Sequence, residues 1–107
     1  DLRRLALIEG WTFKQFREAL DKAPDLKHLS AGLSDNDLMA RLGRPGLAPE
    51  GRFYPDTYAY GKSSSDLALM ARALKAMDQR LNKAWALKNQ TSVLRSPEEM
   101  LIPVLVD

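Results

Sequence analysis

The sequence predicts an α+β fold that is predominantly helical, with four helices and short extended segments at the N-terminus and around residues 50–60. Three observations carry this. Helix-start signatures precede apolar residues at three- and four-residue spacing in four places. One of those runs, from Leu67 to Trp85, holds its spacing over about twenty residues. Between the second and third helices, the stretch Pro49 to Tyr60 packs two carboxylates, four aromatics, two prolines and a glycine into a pattern that no helix would keep.

Taken in order, Leu2 to Ile8 reads LRRLALI and fits a short strand as well as a helical turn, and Glu9-Gly10 ends it. Thr12-Phe13-Lys14-Gln15 is a capping box, with the Thr12 hydroxyl on the Gln15 amide and the Gln15 side chain reaching back. Phe13, Phe16 and Leu20 then take one helical face, and Pro24 closes a helix placed at residues 12–22. Trp11, just before the cap, is expected to staple against Phe16 or its neighbours. His28, in a short connector, reads as a surface or cap histidine.

A second helix starts at Ser34, with Asp35 and Asp37 facing the positive end of its dipole, and Gly43 terminates it. A Pro/Gly-rich connector delivers the chain to Pro49. Gly51 and Pro55 there imply a turn, a short extended piece and another turn. Ser63-Ser64-Ser65-Asp66 announces the long third helix, whose stripe of Leu67, Met70, Leu74, Met77, Leu81, Ala84 and Trp85 is read as core, ending near Lys88-Asn89. Ser96-Pro97-Glu98-Glu99 heads a fourth helix running into an apolar segment, although Pro103 and the valines favour an extended or kinked end.

Composition narrows the chemistry. The 107 residues are 45% apolar and 28% charged, ordinary for a soluble domain, and a net charge of +2 with scattered basic residues argues against nucleic acid. The absence of cysteine removes disulfides, zinc-thiolate sites and thiol nucleophiles. A single histidine leaves no expectation of a histidine-based metal cluster, and no nucleophile-elbow motif supports a serine triad. The acids and tyrosines of residues 49–60 suit a polar ligand with many hydroxyls, because tyrosine offers a stacking face and a hydrogen-bonding tip. For Asp56-Thr57 a structural Asx or ST turn competes with that reading.

Three features, in this order, resemble one family. They are Ile8-Glu9-Gly10-Trp11-Thr12 leading into a helix, Glu50-Gly51-Arg52-Phe53-Tyr54-Pro55-Asp56-Thr57-Tyr58, and Ser96-Pro97-Glu98-Glu99-Met100 heading an apolar segment. Together they resemble the YceG-like proteins, also called MltG, the endolytic murein transglycosylases of bacteria. The resemblance implies that residues 1–30 end a LysM-like or connecting region and that 31–107 form the N-terminal part of a YceG-like catalytic domain. It implies a full-length protein held in the cell inner membrane by one N-terminal helix outside this stretch, with this region periplasmic. Its ligands would be peptidoglycan glycan strands, with cell-wall synthases as possible partners and no cofactor.

The reaction so implied cleaves the glycan strand without water. One glutamate protonates the glycosidic oxygen, then takes the proton of the muramic-acid 6-hydroxyl as it closes to an anhydro end. The resemblance places that glutamate at or just beyond Asp107, where this sequence reads Ile102-Pro103-Val104-Leu105-Val106-Asp107. Asp107 is not assigned the role, so the chain is expected to lack the catalytic acid and to be an inactive fragment on its own. Glu50, Tyr54, Asp56, Thr57 and Tyr58 match the family string and are expected to bind substrate. Glu9 is expected to cap or anchor the first helix. A non-catalytic glycan-binding or scaffold module is the competing expectation. An aminodeoxychorismate lyase is set aside because no glycine-rich phosphate cradle is present.

Overall fold

The computed structural model describes residues 2–93, with side chains described through residue 89. The elements are β1 (Arg3–Leu7), α1 (Phe13–Lys22), α2 (Asp35–Arg41), β2 (Asp56–Tyr60) and α3 (Asp66–Val93). The α+β class holds, with three helices among the described residues rather than four; the helix expected from Ser96 lies outside them. The chain divides into two compact units between Met77 and Asp78.

β1 and β2 form a two-stranded antiparallel sheet, in register from Arg3 opposite Tyr60 to Leu7 opposite Asp56. The pairing decides what LRRLALI alone left open, because an extended segment needs a partner for its backbone groups. Leu5 and Leu7 share a sheet face with Tyr58 and Tyr60, and Leu7 and both tyrosines are buried. The Tyr60 hydroxyl donates to the Pro24 carbonyl at 2.7 Å, tying β2 to the end of α1.

α1 begins as its capping box dictates, with the Gln15 amide donating to Thr12 Oγ1 and the Thr12 amide to Gln15 Oε1. Trp11 packs against Phe16 in a tilted pair, 5.9 Å between ring centroids, as the staple requires. Ser34 caps α2 through the Asp37 amide. The end of α2 is a Schellman turn: Arg44 donates to the Met39 carbonyl and Gly43 to Ala40, with Gly43 at φ +83°, a conformation costly to a side chain with Cβ. Arg17 joins the two helices, reaching Asp35 at 2.9 Å and the Ser30 carbonyl at 3.0 Å.

The core of the first unit gathers Phe13, Phe16 and Leu20 of α1, Leu38 and Met39 of α2, Phe53, and Leu69, Met70, Ala73 and Leu74 of α3. The expected core stripe of α3 is corrected here. Met70 and Leu74 are buried, Leu67 and Met77 are half-buried, and Leu81 and Trp85 are 48% and 59% exposed. Apolar spacing records that one side of a helix is apolar; burial also needs another element laid across it. α3 also runs to Val93, past the expected end at Lys88-Asn89.

The turn into α3 carries a fully buried carboxylate. Asp66 accepts from the Ser30 amide, the Ser30 hydroxyl and its neighbouring Leu67 amide, and its own amide donates to the Lys27 carbonyl. Residues 27–30 are thereby pinned to the start of α3.

Candidate functional site

The sheet ladder ends at the Leu7–Asp56 pair. Beyond it β1 runs into Ile8-Glu9-Gly10, and β2 is entered from Tyr54-Pro55. Between them lies a groove of about 270 Å³ lined by residues 6–9 and 54–57. The β1 exit is held by a turn in which the Trp11 amide donates to the Ile8 carbonyl, with Gly10 at φ +89°, a left-handed position that glycine fills without strain. The β2 entry is held by the Tyr54 amide, which donates to the Ala73 carbonyl of α3 at 3.0 Å.

Of the five residues matched to the family string, three line this groove: Tyr54, Asp56 and Thr57. Asp56 is exposed, and its Oδ1 accepts from the Thr57 amide at 2.8 Å, which fixes the carboxylate at the groove edge. Asp56 and Thr57 open strand β2, and the carboxylate meets the next amide instead of the one two residues on, so the expected Asx or ST turn gives way to a strand with an outward-facing acid.

The other two lie elsewhere. Tyr58 points into the core and its hydroxyl donates to the Tyr54 carbonyl at 2.6 Å, bracing the loop from beneath. Arg72 covers its ring at 5.6 Å and donates to the Ala59 carbonyl. Burial first, and the Asp56 charge second, push the Tyr58 hydroxyl pKa above the ordinary 10.0; Arg72 pulls it back, and Tyr54 adds a smaller push upward. Glu50 sits at the start of α1, where its Oε2 accepts from the Phe13 amide at 3.0 Å. A carboxylate there satisfies an orphan N–H and faces the positive end of the helix dipole.

Glu50 thus takes the helix-capping part that the sequence suggested for Glu9. Glu50 caps α1 from 37 residues away. Glu9, expected to anchor that helix, is exposed and lines the groove beside Tyr54 and Asp56. The groove carries two carboxylates, a tyrosine and a threonine hydroxyl over an apolar floor from Leu7 and Pro55. That lining offers mostly acceptors to a ligand rich in hydroxyl donors, with an apolar patch for a sugar ring's C–H face.

The structure also brings together three residues that composition did not suggest as a set. Asp21, His28 and Asp66 each place one ligand atom within 4.8 Å of the others. Asp21 and His28 are exposed, as expected for His28, while Asp66 already accepts from Ser30 and Leu67. Those bonds account for Asp66 as a structural anchor. Among the described residues no helix is long and apolar enough to cross a membrane.

Comparison with known proteins adds one finding. The model of the YceG-like family matches residues 1–103, nearly the whole chain. No curated protein matches it.

Proposed function

The chain belongs to the YceG-like family, which is associated with murein transglycosylase activity, and we propose that it is part of an endolytic peptidoglycan lytic transglycosylase. In this reading the groove at the open end of the sheet is one wall of the glycan cleft. Glu9, Asp56 and Thr57 accept from or donate to sugar hydroxyl and acetamido groups, and Tyr54 supplies an aromatic edge. The observation that carries the reading is the convergence, across some fifty residues of chain, of Glu9 with the Tyr54-Pro55-Asp56-Thr57 string in one groove.

Exposed carboxylates suit hydrogen bonding to a hydrated polymer better than sole charge of the proton transfers. The general acid–base is the glutamate that the family resemblance places at or just beyond position 107. The protein works on the outer side of the inner membrane, anchored by a helix outside this stretch, beside cell-wall synthases.

The test uses the intact enzyme and purified glycan strands, reading anhydro-ended products by mass spectrometry. Asp56→Asn and Glu9→Gln should each lower kcat/KM by about tenfold, the effect of roughly one lost polar contact to a substrate. Thermal midpoints should stay unchanged. Full turnover in both variants would assign the string to structure alone.

A further inference from the structure

We propose that a second concavity, on the outer face of α1, is a further subsite for the same polymer, continuing the glycan path past the Ile8-Glu9-Gly10-Trp11 turn. The inference rests on the glycan reading of the first groove. This concavity has a volume of about 340 Å³ and is lined by Trp11, Gln15, Glu18, Ala19 and Lys22.

Its position is the first argument. Glu9 lines one groove and Trp11 the other, and the two residues are separated only by Gly10. Their Cα atoms therefore lie no more than about 7.6 Å apart, a step of the order of one or two sugar rings. A polymer seated against Glu9 and Asp56 must leave that groove somewhere, and this concavity borders the turn that Glu9 belongs to.

Its chemistry is the second. Trp11 is half-buried and backed by Phe16 at 5.9 Å, while the hydrogen-bonded turn holds its backbone, so the indole is oriented before any ligand arrives. A preset aromatic face loses little entropy on binding and suits the C–H face of a pyranose. Gln15, Glu18 and Lys22 follow at helical spacing on the same side, spanning about 10 Å along the axis. Gln15 Oε1 is held by the capping box, which fixes that side chain too. Glu18 supplies acceptors and Lys22 donors, so the lining has no single sign of charge. A dense polyanion would meet Glu18 unfavourably, whereas the N-acetylhexosamine rings of a glycan strand present hydroxyls and acetamido groups that use both.

The probe is N-acetylchitohexaose, titrated into the 107-residue chain carrying Trp85→Phe, so that Trp11 is the remaining indole. Saturable quenching or a blue shift of Trp11 emission is expected. By calorimetry, Trp11→Ala and the groove-filling Ala19→Arg should each raise Kd about tenfold, with Trp11→Phe close to wild type. Circular dichroism melts check that the variants fold. Should Trp11→Ala unfold the chain, Ala19→Arg and Glu18→Ala carry the test. If the hexaose binds, Asp56→Asn weakens it and the Trp11 and Ala19 variants leave Kd within twofold, the subsite is wrong and the first groove stands. If neither the hexaose nor purified uncrosslinked glycan strands bind the unmutated chain, the glycan reading fails and this inference with it.

Discussion

Two acids show how a residue's surroundings decide its work. Glu50 stands in the motif that most invites a ligand, yet its carboxylate accepts the Phe13 amide at the head of α1. Glu50→Ala should therefore destabilise the fold by about 1 kcal/mol, the usual value of a helix cap, read as a lower urea midpoint with unchanged slope. Glu9→Ala, at an exposed position, should leave that midpoint within about 0.5 kcal/mol. Tyr58 makes a pH prediction. Its pKa is raised above 10.0, chiefly by burial, so the folded state holds the phenolic proton more tightly than the unfolded chain does. The stabilisation is fully present below pH 10 and is lost as pH rises through the higher folded value. Unfolding free energy should fall with pH from about 10 upward, and Tyr58→Phe should flatten that fall while costing about 1 kcal/mol at pH 7 through the lost bond to the Tyr54 carbonyl.

At the scale of elements, the helices were legible because their signals are local. Thr12 with Gln15, Ser34 with the Asp37 amide, and Gly43 beyond Leu42 each complete their hydrogen bonds within about a turn of chain. The strand pairing was not legible. β1 and β2 are separated by some fifty residues, and no turn signal joins them, so nothing near LRRLALI names its partner. The groove inherits that difficulty: the string at 54–57 could be read, but Glu9 reaches it only through the pairing. Asp66 was legible as a helix start and illegible as a buried anchor for Ser30. Asp66→Ala would leave the Ser30 amide and hydroxyl without their acceptor in a buried site, so a loss of about 2–4 kcal/mol is expected in chemical denaturation. Ser30→Ala removes one donor to the buried carboxylate but leaves it the Ser30 and Leu67 amides, so it should cost less than Asp66→Ala. The reverse order would mean that the Ser30 side chain, and not the carboxylate, organises this junction.

For the whole molecule, the burial of α3 sets where stability resides. Its buried residues, Asp66, Leu69, Met70, Ala73 and Leu74, all fall within its first nine positions, and residues 79–89 are exposed. Helical propensity alone sustains a segment of that length poorly, since most helix stability in proteins comes from packing one face. Native-state hydrogen exchange should therefore divide the helix. Amides around Leu69 to Met77 should exchange only by global unfolding, with protection tracking urea stability one for one. Those beyond about Arg80 should exchange through local opening, orders of magnitude faster and insensitive to Leu20→Ala, which removes a wholly buried side chain and should cost about 2–5 kcal/mol. Equal protection along all of α3 would mean that something covers Leu81 and Trp85 in solution. In that case the apolar spacing that ran on to Trp85 was reporting a contact surface after all, and the substitutions Leu81→Glu and Trp85→Glu should abolish the extra protection while leaving Leu69 to Leu74 unchanged.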